Sequence, residues 1–420
     1  MKCAIIGFGC AGYHGARELR RLCPEAEIDV YEQAVRGGAN PMLTTYYAGA
    51  RIGFEQMFPF GKMEDICRTW RLNLISAPVE RVETAGRAVR LADGSRRCYD
   101  KLLIATGASA LLPAFLRVEG KEVFLMRTAA EARQLKEYLN EHPVASAAVI
   151  GASMVGIKVA EVLHARGIDT TLMDAADRIF PLAAYPSTAE QITRALEERG
   201  LHLRMGVRVS GVDPRGVVFQ DGTAQPADLV CLCIGTRANV ELAANTQVVA
   251  GERIRVNRGI VVDTHMETSV PGVYAAGDCC EGVNLQTGET MIIGLWANAA
   301  AQGECAGSNM AGVPAEHYGS FPHNITRFFG LVFVGLGDPS LPGEQRRFQG
   351  DGMEVTVVKR DGVLQSMNIW GSCLVSGVLK SLLARQLNRP PSGLSPVQRG
   401  LLARAGLPRD LIDFIGGDPA

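Results

Sequence analysis

The chain has 420 residues, enough for two or three domains at roughly 100–200 residues each, which excludes a single small binding module. Its 43 Lys and Arg nearly cancel 44 Asp and Glu, and a net charge of −1 leaves no basic excess to hold nucleic acid or an anionic membrane surface. Hydrophobic residues make up 47 %, ordinary for a globular protein with sizeable cores, whereas 47 glycines exceed an average share of about 7 % and call for a structural reason.

No stretch reaches the roughly 18 apolar residues of a membrane helix; the longest, 328–337, is about half that, so no membrane span is expected. The opening Met1-Lys2-Cys3-Ala4-Ile5-Ile6 is interrupted by Gly7, Gly9 and Gly12 before a charged segment with Arg17, Glu18, Arg20 and Arg21. It reads as a first core strand, not a signal peptide, and implies a cytoplasmic protein. Eleven cysteines contain no C-x-x-C and no regular spacing, which argues against a metal site, a disulfide framework or a thioredoxin-like dithiol. Cys231 and Cys233 fall in an apolar strand, 228–234, and Cys279-Cys280 follow a Gly-Asp turn; all four read as small buried hydrophobes.

In chain order, the first element is a strand through Cys3 to Ile6, running into Gly7-Phe8-Gly9-Cys10-Ala11-Gly12. A helix carrying Leu19 and Leu22 follows, then a strand at Ile28 to Tyr31 that ends at Glu32. Strand, glycine turn, helix, strand and acid form a dinucleotide-binding fingerprint. The glycines allow a tight turn and close approach to a pyrophosphate, the helix start offers free N–H groups, and the acid receives ribose hydroxyls. The same sequence of elements returns at Ala148-Val149-Ile150, Gly151-Ala152-Ser153-Met154-Val155-Gly156, a helix over 157–165, and a strand from Thr170 to Met173 ending at Asp174.

Two later elements repeat as well. Asp93-Gly94 precedes a buried strand that ends at Gly107, and Asp221-Gly222 precedes one that ends at Gly235. The Asp-Gly turn lies 81 residues past Gly12 but only 65 past Gly156, so the first half carries about 16 extra residues, placed within 35–59. An insert beside a phosphate-binding turn is well placed to build an active site. A third strand ends at Gly277-Asp278, and a glycine- and alanine-rich helix, 294–307, follows that is expected to pack closely against something flat or large. From about Val313 the pattern turns to antiparallel strands, with a hairpin through Asp361-Gly362 and one helix over 376–387. The stretch past Arg389, opening with Pro390-Pro391, reads as linker plus a short helix, 396–405.

This order of motifs over roughly residues 1–388 resembles the pyridine-nucleotide-dependent flavoprotein reductases: NADH oxidases, CoA-disulfide reductases, rubredoxin and ferredoxin reductases, and the flavoprotein part of nitrite reductases. The resemblance implies an α/β fold with two Rossmann-like, three-layer dinucleotide-binding domains and an α+β C-terminal domain of dimerisation type. It divides the chain into an FAD-binding domain at 1–109 and 240–312, an NAD(H)-binding domain at 110–239, a C-terminal domain at 313–388 and a tail at 389–420. It implies FAD held by Gly7, Gly9, Ala11, Gly12, Glu32, Val79, Ala105, Thr106, Gly107, Gly277, Asp278 and Trp296, and NADH held by Gly151, Ser153, Gly156, Asp174 and Gly235. The helix beginning near Trp296 would aim its positive end at the flavin edge that becomes anionic on reduction; the Trp296 side chain itself reads equally as a core aromatic.

Departures from that pattern narrow the branch. Relatives that reduce disulfides carry a redox cysteine in the insert; here Asn40-Pro41-Met42-Leu43-Thr44-Thr45-Tyr46-Tyr47-Ala48-Gly49 has none and is similar to the rubredoxin-reductase and nitrite-reductase branch. Ser153 replaces the middle glycine of the second turn, and Lys158 stands where the family usually has a glutamate near the nicotinamide. Hydride transfer needs no protein acid or base, so the resemblance implies that the flavin is the catalytic group, with Lys158, Thr45 and Trp296 as the candidate side chains beside it. Lys158 has four readings: to favour reduced flavin, to bind an acidic substrate, to pair with a carboxylate, or to reach solvent along its helix. Asp174 disfavours a 2′-phosphate, which points to NADH over NADPH. The expected function is an FAD-dependent oxidoreductase in which NADH reduces the flavin and electrons leave, without a cysteine relay, to a small redox protein or partner subunit. The rivals are an FAD subunit of a small-molecule dehydrogenase or oxidase with a vestigial NAD site, and a non-catalytic flavin scaffold. A homodimer or hetero-oligomer is expected, with Phe328-Phe329 and 331–334 as contact or core.

Overall fold

Two parallel five-stranded sheets carry the duplication in a computed structural model, which describes residues 1–34, 36–84, 86–246, 253–387 and 393–416. The first sheet runs Val273–Ala275, Lys101–Ile104, Lys2–Ile6, Glu27–Tyr31, Asn73–Ile75. The second runs Val123–Phe124, Leu229–Leu232, Ser146–Ile150, Asp169–Met173, His202–Arg204. Each sheet is covered on both faces, which is why the strands Cys3 to Ile6 and Ala147 to Ile150 are unbroken apolar runs with buried side chains. The strand expected over 228–234 is shorter, Leu229–Leu232, because Cys233 already begins the turn that packs on Gly151.

Both glycine turns lead straight into helices, Cys10–Leu22 and Met154–His164. The third glycine of each motif is a packing requirement: a Cβ on Gly12 would lie 2.2 Å from the Gly7 carbonyl oxygen, and one on Gly156 would lie 1.8 Å from that of Gly151. Both Asp-Gly turns close antiparallel hairpins, between Ala88–Leu91 and Arg96–Cys98 and between Gly216–Phe219 and Ala224–Pro226.

The glycine-rich helix, Trp296–Met310, packs not on a flat surface but lengthwise on the Cys10–Leu22 helix. Side chains at Gly303 or Gly307 would strike the carbonyl oxygens of Ala11 and Gly15 at 2.3 and 2.5 Å, so small residues are what lets the two backbones touch. The C-terminal region is an antiparallel five-stranded sheet, ordered His323–Phe328, Leu331–Leu336, Val363–Trp370, Met353–Arg360, Glu344–Gly350, and covered by the Ser376–Leu387 helix.

One expectation changes here, and one open reading is decided in part. Residues 393–416 are not a loose tail: helices Pro396–Arg404 and Arg409–Gly416 bury Leu402, Leu411, Ile412 and Ile415 in the same core as Val355 and Leu379. The apolar positions of Arg409–Gly416 fall on one helix face, which has to be covered. Pro390 and Pro391 lie outside the described residues. Of the stretch read as contact or core, Phe328, Phe333 and Val334 are buried core, with Phe328 edge-on and Phe333 stacked against Phe180, while Phe329, Leu331 and Val332 are half-buried.

Candidate active site

A cavity of about 560 Å³ opens at the end of the first sheet. Of the expected flavin residues, Gly7, Gly9, Ala11, Glu32, Ala105, Thr106, Gly107, Gly277, Asp278 and Trp296 line it. Gly12 sits behind it as the helix-packing residue, and Val79, at the start of the Val79–Glu83 strand, packs into an apolar cluster and does not line it. Gly7 adopts φ +87° and a Cβ there would meet the Ala105 carbonyl oxygen at 2.5 Å. Gly9 has no protein atom within 4 Å of its would-be Cβ, so the turn presents bare backbone to the cavity. Glu32 closes the turn: Oε2 accepts the Phe8 N–H at 3.0 Å and Oε1 accepts the N–H groups of Gln33 and Ala34.

Two helix starts, Cys10–Leu22 and Trp296–Met310, converge on this space, and neither has an acidic residue in its first turn or a side-chain cap to satisfy its free N–H groups. Bare glycine backbone, two positive helix ends and an acid, Glu32, at the end of the second strand fit a flavin dinucleotide by the chemistry of the donors. Arg127, absent from the sequence reading, also lines the cavity; its guanidinium pairs with Asp278 at 2.5 Å and donates to the Ala108 carbonyl. It sits just before Thr128, the capping-box residue of the Ala129–Glu141 helix, and the visible sequence signal was only that box.

Among the described residues one cysteine lines the cavity, Cys10. Its thiol donates to the Trp296 carbonyl at 3.3 Å and is pushed up to about 12 by burial, with the charges of Asp278 and Glu304 adding to the effect. At neutral pH it is a thiol, not a thiolate. The insert contributes Gly37 to Met42 and Phe58 to the wall, with no sulfur nucleophile among them. Trp296 is both a wall residue and a packed aromatic, stacked on Phe60 with centroids 5.6 Å apart.

The second turn repeats the first in outline. Gly151 has φ +109°, and Asp174 Oδ2 accepts the Ala152 N–H at 2.7 Å, as Glu32 does for Phe8. Ser153 departs from the pattern by turning its hydroxyl inward, donating to the Cys233 carbonyl at 3.0 Å and accepting from Gly156 N–H at 3.4 Å. Gly235 adopts φ +117° with open space at its Cβ position.

Thr45 and Lys158 come together, apart from Trp296, in a small cleft with Tyr46, Arg51 and Glu161. Both are buried, so Lys158 does not reach solvent along its helix. Its Nζ donates to the Tyr46 hydroxyl at 3.0 Å and lies 4.2 Å from the centre of that ring. It pairs with no carboxylate among the described residues: Glu161 is taken by Arg51 at 2.6 Å and by the Phe329 N–H at 2.9 Å.

The sequence model of the pyridine nucleotide-disulphide oxidoreductase family matches residues 1–303, the span that holds both turns, the insert and every residue of the cavity wall named above. The chain belongs to that family. Its members are oxidoreductases working with FAD and NAD(H), and the chain is an enzyme of this class. It is 29 % identical to an NADH oxidase of Methanocaldococcus jannaschii over 80 % of its own length and 76 % of that protein's. It is 27 % identical to a rubredoxin-NAD(+) reductase of Pseudomonas putida over 80 % of this chain and 86 % of the other. Its fold matches the water-forming NADH oxidase of Lactobacillus brevis bound to NADH with a TM-score of 0.82 at 22 % identity, covering 92 % of this chain and 91 % of that one. Among the described residues no helix is long and apolar enough to cross a membrane and no cluster of metal-binding side chains occurs.

Proposed function

We propose that this family member oxidises NADH and delivers the electrons to a separate acceptor, a small redox protein or partner subunit, with no cysteine in the path. The observation that carries the proposal is the wall of the cavity, where the insert supplies Asn40, Pro41 and Met42 and, among the described residues, the sole cysteine is the protonated, hydrogen-bonded Cys10. A buried thiol of that kind is a poor nucleophile and a poor redox relay. The likeness to rubredoxin-NAD(+) reductase supports a protein acceptor.

When bound, FAD supplies the chemistry, taking a hydride from NADH and passing electrons on. Gly7, Gly9 and the two converging helix starts would hold its pyrophosphate and the edge that gains charge, and Glu32 its ribose. Asp278 and Arg127 face the same space and would fix the chain between ring and phosphates. Asp174, its two oxygens held by the N–H groups of Ala152 and Ala176, is fixed where a 2′-phosphate would have to sit, so NADH is preferred to NADPH. We place FAD on 1–109 with 240–312, the nicotinamide nucleotide on 110–239, and the remainder at an interface with another copy or a partner.

The test is turnover of Cys10→Ala with NADH and ferricyanide. It should match the unaltered enzyme within twofold per bound FAD, before and after alkylation of exposed thiols. Loss of more than tenfold would return a thiol to the mechanism. The inward-turned Ser153 favours a second reading, an FAD subunit fed by another substrate, and calorimetric titration with NAD, ATP and ADP separates the two, since that reading requires no tight nicotinamide binding.

A further inference from the structure

Lys158 is a buried cation with an incomplete shell. The residue is 7 % exposed, its ammonium has one hydrogen-bond acceptor, the Tyr46 hydroxyl, and the neighbouring carboxylate of Glu161 is committed to Arg51 and the Phe329 backbone. Arg51 stands 6.0 Å from the centre of the same ring, and Glu161, in the same cleft, gives its Oε1 to Arg51 and the Phe329 N–H and makes no ion pair with Lys158 among the described residues. An uncompensated buried charge is costly and is retained only where something offsets it. Tyr46 belongs to the Thr44–Ala48 helix, and Met42, four residues earlier, lines the flavin cavity. Met42 belongs to the preceding Pro41–Leu43 turn, so at about 1.5–2 Å per residue the Tyr46 backbone lies roughly 6–8 Å further along the chain from the cavity wall.

We infer that Lys158, oriented by Tyr46, is the counter-charge that stabilises the anionic reduced flavin and weakens the hold on NAD+. The inference rests on the flavin reading above. In the transfer the C4–H bond of NADH breaks and its electron pair and hydrogen move to the flavin. NADH becomes NAD+, whose nicotinamide is cationic, and the flavin gains two electrons and one proton, hence one negative charge. A fixed positive charge beside both partners stabilises the second product and repels the first. Within the complex the two effects oppose each other; once NAD+ leaves, the stabilised reduced flavin remains, and neither effect needs contact with a ring. Tyr46 is the positioning residue: it accepts from the ammonium and shields one side of it with its ring.

The experiment compares purified, FAD-containing protein with Lys158→Met, Lys158→Arg and Tyr46→Phe. Flavin midpoint potential is measured by anaerobic spectroelectrochemistry, and the NAD+ dissociation constant by calorimetry. Lys158→Met should lower the potential so that the flavin–NADH equilibrium moves at least tenfold toward oxidised flavin, about 30 mV for a two-electron couple. It should also tighten NAD+ several-fold. Lys158→Arg should keep both values near the parent, and Tyr46→Phe should fall between. Should Lys158→Met not retain FAD, Lys158→Gln serves in its place. An unchanged potential in the neutral variants, or an equal drop in Lys158→Arg, overturns the inference. Parent protein that holds no FAD overturns the flavin reading beneath it instead.

Discussion

His323 reaches the wall of the cavity from the C-terminal sheet, and its Nδ1 lies 3.2 Å from the Phe321 carbonyl, which accepts from it. Burial, with the charge of Lys380 behind it, pushes its imidazole down to about 4. In the unfolded chain a histidine titrates near 6.5, so between about 4 and 6.5 the unfolded state binds more protons and stability rises with pH. Stability present at pH 7 is therefore lost on acidification through this window. His317, half-buried and also held low by desolvation, acts in the same direction. The urea midpoint should fall between pH 7 and pH 5, and His323→Gln should flatten that dependence; an equal slope in the variant would assign it elsewhere. At this scale sequence legibility was uneven. Gly7, Gly9, Gly12 and Glu32 stand at fixed local spacings that any reader of the turn can count, whereas Arg127 meets Asp278 across 151 residues and carries no local mark. The surroundings of Lys158 were hidden for the same reason: Tyr46 is 112 residues away.

Helix and turn together decide what each glycine is for. Gly12→Ala would drive a methyl into the Gly7 carbonyl at 2.2 Å and force the Cys10–Leu22 helix off its strand. A loss of about 1–3 kcal/mol is expected in denaturant unfolding of the FAD-free protein. Gly9→Ala places its methyl in open cavity, at φ −72° where alanine is at ease, so folding should change by less than about 0.5 kcal/mol while FAD affinity falls at least tenfold. If both substitutions act on stability alike, the turn is a packing device and not a phosphate cradle. The close pairing of Cys10–Leu22 with Trp296–Met310 could be anticipated only halfway. A run of small residues announces close approach, but what approaches is set by tertiary structure, and it proved to be another helix.

On the scale of the whole molecule, Glu161 ties three segments together, since its carboxylate binds Arg51 of the insert and the backbone of Phe329 in the C-terminal region from a helix of the second dinucleotide fold. The repeat was legible because each half reproduces a complete local pattern; the C-terminal core was less so, because its last two helices are short and follow a proline-rich stretch. Ending the chain at residue 387 would uncover the faces now buried by Leu402, Leu411, Ile412 and Ile415. At roughly 1.5–3 kcal/mol for each fully buried side chain, the truncated protein should melt several degrees lower and bind an apolar dye; an unchanged melting point would mean these helices are ornamental. The central claim concerns the route of electrons, from NADH into flavin with no thiol between. Anaerobic mixing of the FAD-containing protein with NADH tests it most directly. The flavin absorbance should bleach within seconds, and equally fast in Cys10→Ala. Flavin that stays oxidised for minutes with NADH, while dithionite reduces it, would contradict the account.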